Sequence, residues 1–368
     1  MHAKRFSITL AAALLAAGVS ATAAEKVITP QIVNSSKTTI AVFGDWPYNT
    51  NLLNNANLLL DSINSDPDVK LVMHVGDIHS GSAPCTSADI LPPIQTSVPG
   101  WNQQIYAIFQ KFHAPVVYTP GDNEWTDCHK TKAGAAGDPL KELDSIRSLF
   151  FARPGHTLGL ADREVFSQAD YASVPADAAY VENLIWMDAK TVFVTLNLPG
   201  SNNDGLKWGT FENLEARKAE VKARTAADTR WLQAAFRLAN KEKATGVVIG
   251  VQADMWDLSA VAAGGDGLNH YTTLVKELAR LTLAFNKPVL LINGDSHVYG
   301  TDHPLANPTS LHGKIHNAAP TPNLTRVTVQ GSTTKPAEWL KLTIDPSKSM
   351  PFSWVNVPFC IDPLGACQ

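Results

Sequence analysis

The chain has 368 residues, of which 45% are hydrophobic and 17% charged, a balance that suits a large and well-buried core. Its formal net charge is −4 and no basic cluster offsets it, which argues against a nucleic-acid footprint. No internal repeat period or long low-complexity block divides it, so one large domain or two intimately packed layers are expected.

Residues 1–24 read as a signal peptide. Lys4 and Arg5 precede the apolar run Ile8 to Val19, and Ala21-Thr22-Ala23 offers a cleavage site near Ala23/Ala24. Losing those two cations takes the net charge from −4 to −6. The expectation is a periplasmic or secreted protein with no membrane span after leader removal, since no later run is long enough. All 4 cysteines follow the leader, in a compartment that permits disulfides. Three pairings are open. Cys85–Cys128 and Cys360–Cys367 are favoured, the first because both follow Gly-Asp turns, the second because it closes a small loop. A Cys-ligated metal is disfavoured, as no Cys-x-x-Cys pair is present.

The spacing predicts a strand at Thr39–Phe43 that ends in Gly44-Asp45. A helix follows over Asn51–Ser65, with Leu52, Leu53, Ala56, Leu59, Leu60 and Ile63 on one face. The run Leu71 to Val75 ends in Gly76-Asp77. Residues 82–101, rich in Pro and Ser, are read as a long loop pinned by Cys85. A helix from about Asn102 to Phe112 leads to Pro115–Tyr118, which passes through Thr119-Pro120 into Gly121-Asp122. Asp138-Pro139 starts another helix, Asp as cap and Pro where no donor is needed. Residues 152–190 are read as irregular. Thr191–Leu198 is a strand, followed by a loop rich in hydrogen-bonding groups at 199–205. Residues 211–243 and Leu268–Phe285 are helical. Val247–Val251 runs into Gln252-Ala253-Asp254, and Pro288–Asn293 runs into Gly294-Asp295-Ser296-His297. Beyond Gly300, Leu324–Val329 and Trp339–Ile344 are read as antiparallel, edge-forming strands of a second sheet. The expected division is a domain over 25–345 and a C-terminal tail over 346–368. The expected fold class is α/β, a layered sandwich of mixed β-sheets flanked by helices.

A single Gly-Asp is ordinary turn chemistry. Here, however, Gly-Asp closes four strand-like apolar runs, and in α/β sheets the ligand crevice lies beyond the carboxyl ends of the strands. Asp45, Asp77, Asp122 and Asp295 would then converge on one edge, where unpaired like charges are strongly unfavourable and a bound cation is the simplest remedy. His297 sits two residues after Asp295, so both side chains can face one centre. His74, inside a strand, is read as a core histidine, and Glu124, Trp125 and Asp127 as loop organisers. Asn202 and Asn203 are read as turn residues.

In order and spacing these motifs resemble the calcineurin-like metallophosphoesterases over roughly residues 38–300, and Phe43-Gly44-Asp45-Trp46 resembles the start of purple acid phosphatases. The resemblance implies two sheets flanked by helices, with a metal centre at the strand ends. It assigns Asp45 to the first motif, Asp77 to the metal-bridging position and His297 to the final histidine. Asp122 stands where the family has a ligand Asn, and Asn123 where it has the His that contacts phosphate. Pro47 replaces the first-motif His, Asp295 a ligand His, and Gln252 the lone His. His79 and Ser80 fill the last two places of the second motif. Exchanging imidazoles for oxygen donors shifts the preference from Zn or Fe towards Mg, Mn or Ca. One or two divalent ions are implied, held by Asp45, Asp77, Asp122, Asn123, Gln252, Asp295 and His297. The implied activity is hydrolysis of a small phosphorylated substrate by a metal-activated water. Asn123, His297 and His79 are the candidate catalytic groups, with Asn123 polarising a phosphoryl oxygen or His79 giving a proton. The alternative reading is a weakened or inactive metal- or ligand-binding protein on the same fold.

Overall fold

The computed structural model describes residues 27–29, 36–85, 100–132 and 136–365. The expected leader, the 86–99 part of the expected loop and Cys367 lie outside these residues. In chain order the strands are β1 (Thr38–Phe43), β2 (Val69–His74), β3 (Val116–Tyr118), β4 (Phe166–Ser167), β5 (Leu184–Asp188) and β6 (Thr191–Thr195). They continue as β7 (Gly246–Gly250), β8 (Val289–Asn293), β9 (Gly300–Asp302), β10 (Leu324–Thr328), β11 (Ala337–Ile344) and β12 (Phe352–Cys360).

They form two mixed sheets. The 5-stranded sheet has the order β12-β11-β1-β2-β3, with β1, β2 and β3 parallel and β11 and β12 antiparallel. The 7-stranded sheet has the order β4-β5-β6-β7-β8-β10-β9, with β6, β7, β8 and β10 parallel. Alternation along β1 shows why the runs are continuously apolar. Ile40 and Val42 pack into the layer between the sheets with Phe193, Val248 and Leu290. Ala41 and Phe43 pack outward, with Leu59 and Ile63 of the helix Ala56–Asn64 and Ile105 and Phe109 of the helix Trp101–Phe109. On the far side Val192, Val247 and Leu291 meet Trp231, Leu232 and Phe236 of the helix Leu214–Lys241 and Leu274 and Leu278 of the helix Thr272–Phe285. Both faces of each sheet are therefore buried, in a helix–sheet–sheet–helix sandwich.

Local signals set the helix starts. Asp138 caps the Leu140 amide with Pro139 in the first turn, and Asn213 caps the Ala216 amide. The single helix expected over Asn51–Ser65 is two, Thr50–Asn54 and Ala56–Asn64. Asn55 Nδ2 donates to the Asn51 carbonyl and side-chain oxygens at 2.9 and 3.1 Å, a local bond that competes with the helix ladder.

Three other elements differ from the sequence reading. β10 is not an antiparallel edge: it lies parallel to β8, because Leu324 and Val327 bury opposite faces and fix it inside the sheet. The expected C-terminal tail contains β12, which covers the edge of β11; its Val355 is 59% exposed, so it lacks a continuous apolar run. The span expected to be irregular contains β5, whose Trp186 stacks on Phe193 at 5.1 Å. The Cys85–Cys128 bridge is present, and Cys360 is disulfide-bonded as well.

Candidate metal centre

The parallel strands bring their carboxyl ends to one edge, and the turns beyond them are stitched together. Asp45 and Trp46 donate their amide hydrogens to the Gly76 and Asp77 carbonyls, both at 2.9 Å. Gly294 donates to the Gln252 carbonyl at 3.1 Å, and Gly331 to the His297 carbonyl at 3.0 Å. Asp45, Asp77, Asp295 and His297 sit in the left-handed region, with φ of 49, 62, 71 and 61°. Such backbone costs roughly 1–3 kcal/mol per residue and clusters at functional sites. Glycine is required beside them. A Cβ on Gly76 (φ +92°) would meet Gln252 Cβ at 2.6 Å, and one on Gly121 would meet Asp77 Oδ1 at 2.1 Å.

Asp45, Asp77 and His297 each direct a ligand atom to one place, the three atoms lying within 4.8 Å of one another. Asp45 is 0% and Asp77 2% exposed, whereas the His297 side chain is 41% exposed, so solvent reaches the cluster beside the imidazole. Asp45 Oδ2 is buried without a hydrogen-bond partner. Burial, then the charges of Asp122, Glu124, Asp45 and Asp295, hold the Asp77 carboxyl well above the ordinary range. Burial and then Asp122 do the same to Asp295. For His297, burial works against the proton, but the Asp45 hydrogen bond and charge outweigh it and raise the imidazole. Oxygen and imidazole donors crowded around an unpaired carboxylate oxygen fit a divalent cation.

Asp122 and Asp295 form a neighbouring group around Gly200, where an added Cβ would lie 2.8 Å from both Asp122 Oδ2 and Asp295 Oδ1. This second group is closed on itself. Gln252 Nε2 donates to Asp122 Oδ1 at 3.1 Å while its Oε1 accepts the Gly200 amide hydrogen, so both ends of the Gln252 amide are engaged. The Asp254 amide donates to Asp295 Oδ2 at 2.8 Å. Ser201 Oγ lies 2.9 Å from Asp122 Oδ2 and 2.7 Å from Asp127 Oδ1. It is held there by a left-handed turn, Ser201 to Asp204, with φ of 51, 53, 58 and 63°. Buried Arg224 braces that turn, donating to the Asn197 carbonyl at 3.1 Å and the Asn203 carbonyl at 3.2 Å. Burial and then Asp127 raise Asp122 to about 6.

Asn123 joins the first group: its Nδ2 donates to Asp77 Oδ2 at 2.8 Å and its amide to Asp77 Oδ1 at 3.2 Å. His79 is buried, with Nδ1 3.2 Å from the Ser80 carbonyl oxygen, and burial lowers it to about 4. Burial thus disfavours the imidazolium form that a general acid at this position would need. His74 is a core histidine, 0% exposed and edge-on to Phe43 at 4.8 Å. Tyr48, Ser201 and Asp254 are residues of the site that the sequence reading missed. Tyr48 alone left a signal, a polar aromatic directly after Pro47.

A family model described as calcineurin-like phosphoesterase matches residues 38–299. Among solved structures, one described as "GAP50 the anchor in the inner membrane complex of Plasmodium" is similar with a TM-score of 0.40 and 12% identity, covering 89% of this chain and 90% of that chain. No curated protein matches the chain.

Proposed function

The chain belongs to the calcineurin-like phosphoesterase family, and from that premise we propose that it is an exported metal-dependent phosphoesterase acting on small phosphorylated substrates. The observation that carries the reading is the convergence of Asp45, Asp77 and His297, with Asp45 Oδ2 buried and unpaired. Asp45, Asp77 and His297 would hold a divalent cation, which would lower the pKa of a water and supply positive charge to the phosphoryl group. The chain's own residues do the rest. Asn123 orients Asp77 through two hydrogen bonds and keeps a second amide hydrogen for the same centre. His297 lines the open side, where a phosphate ester would enter. No side-chain nucleophile is needed for this chemistry.

Export is supported by the leader-like composition of residues 1–24 and by the Cys85–Cys128 bridge, which suits an oxidising compartment. Among the described residues, no helix is long and apolar enough to cross a membrane. A second reading, cation binding without turnover, is favoured by the closed Asp122–Gln252–Gly200 arrangement, which leaves one well-formed cation site among the described residues. Metal analysis of purified protein, with phosphomonoester and diester hydrolysis measured across Mg, Mn, Zn and Ca, separates the two. Bound metal with turnover supports the enzyme, and bound metal without turnover supports the binder. Protein that takes up no metal sinks both.

A further inference from the structure

Tyr48 follows Asp45 by three positions, and its hydroxyl stands at the meeting point of the metal centre. It lies 2.9 Å from Asp45 Oδ1, 2.8 Å from Asp77 Oδ2 and 3.1 Å from His297 Nε2. A phenol carries one hydrogen, and ionised carboxylates only accept. One hydroxyl hydrogen thus faces two carboxylate oxygens at nearly equal range, while Asp45 Oδ2 beside them has no partner. Lone pairs outnumber protons here, which is what a cation corrects. The spacing agrees. Donors on neighbouring corners around a hard divalent ion, with bonds of about 2.1 Å, sit about 3 Å apart. His297 Nε2 to Asp45 Oδ1 is 3.3 Å, close to the same edge. The phenol is also held in place: its ring meets His297 edge-on at 5.1 Å, and Asn123 Nδ2 lies 3.4 Å from its oxygen.

We propose that Tyr48 is a fourth protein ligand of the cation held by Asp45, Asp77 and His297, supplying through its phenolic oxygen the donor that Pro47 cannot provide. The proposal rests on the metal-centre reading and deepens it. It also gives the family resemblance a local explanation: the first motif has lost its imidazole at position 47 and gained an oxygen donor one residue later.

The test is equilibrium binding of Mn2+ to the full chain after chelator treatment, for wild type, Tyr48→Phe and, as a reference for a lost ligand, Asp45→Asn. Tyr48→Phe keeps the ring and its contact with His297 and removes only the oxygen. It should bind Mn2+ at least about tenfold more weakly than wild type. The Mn2+-induced change in tyrosine near-ultraviolet absorbance should be present in wild type and lost in the variant, a signature that a purely structural role would not move. Equal or tighter binding by Tyr48→Phe overturns the proposal, since the hydroxyl would then be a filler or a competitor of the ion, and it leaves the metal centre standing. An absorbance change retained in the variant overturns it too. Wild type that binds no Mn2+ overturns it together with the proposed function.

Discussion

Glu124 accepts the amide hydrogen of Ile78 at 3.2 Å, tying together two strand-end turns whose residues are 46 apart in sequence. The same Oε1 also accepts the Gly121 amide at 3.1 Å and the Tyr118 hydroxyl at 2.7 Å. Glu124 is 1% exposed, and burial pushes its carboxyl up to about 7. It is a positioning residue behind Asp77 and Asp122. Glu124→Ala strands three buried donors and should cost roughly 2–4 kcal/mol, whereas Glu124→Gln keeps an acceptor and should cost about half as much or less. Urea unfolding compares them. An alanine variant with the wild-type midpoint would show that the clasp does not hold the turns.

The strand-end acids were legible because their strands are buried on both faces and read as continuous apolar runs into Gly-Asp. Asp45 and Asp77 needed only that pattern. β12 was not legible, since it covers an edge, alternates, and carries Pro358, which an edge strand tolerates. β10 was visible as a strand but not as a parallel one, because its partner is chosen by the packing of Leu324 and Val327 across both cores. Within the site, Asp122, Asp295 and Gln252 could be read from the chain, but the hydrogen bonds that close them on one another could not. Ser201 and the Asp254 amide arrive from other segments, and Ser201 depends on a left-handed turn braced by Arg224. Tyr48 escaped because it reaches the centre by curling back past Pro47 rather than by standing at a strand end.

The disulfide is tied to the site. Cys85 Sγ lies 3.3 Å from the Asn123 carbonyl oxygen, so the bridge pins the turn that orients Asp77. It spans 43 residues of sequence, and closing a loop of that length stabilises by about 4 kcal/mol in the chain-entropy account. A Cys85→Ser/Cys128→Ser double variant should lose about that much in denaturant unfolding and bind metal more weakly. Unchanged stability would show that the bridge constrains neither the unfolded chain nor the turn.

Stability should depend on pH with a definite sign in the metal-free protein. Burial raises Glu124 to about 7 and Asp228 to about 8, above carboxylates in an unfolded chain. The folded protein then keeps protons that the unfolded chain has released, so stability falls as pH rises through these values. His297 adds the same sign: raised despite its burial, it contributes stability present below 6.5 and lost as pH climbs through its folded value. His74 and His79, both lowered by burial to about 4, act in the opposite sense but only below 6.5, where the unfolded imidazole takes up a proton. Melting temperature in chelator should therefore decline between pH 6.5 and about 8, and Mn2+ should flatten the decline by neutralising the cluster. A melting temperature that rises across this window would mean these carboxylates are stabilised as anions by the fold.

Asp77 is the sharpest single test of the centre. Its Oδ2 accepts from Asn123 Nδ2 at 2.8 Å and faces the Tyr48 hydroxyl at 2.8 Å, and its Oδ1 accepts the Asn123 amide at 3.2 Å. Asp77→Asn turns one acceptor into a donor, which costs a hydrogen bond, and removes a charge that Asp122, Glu124, Asp45 and Asp295 all oppose. The two effects act in opposite directions, each of about 1–2 kcal/mol. Melting in chelator should therefore stay within about 5 °C of wild type. Metal uptake and kcat/KM should each fall at least about 100-fold, because a lost ligand costs more than a lost outer partner. Metal stoichiometry, turnover and melting measured on one preparation distinguish a broken site from a broken fold. Wild-type activity in Asp77→Asn would remove Asp77 from the centre, and with it the convergence on which the phosphoesterase reading stands.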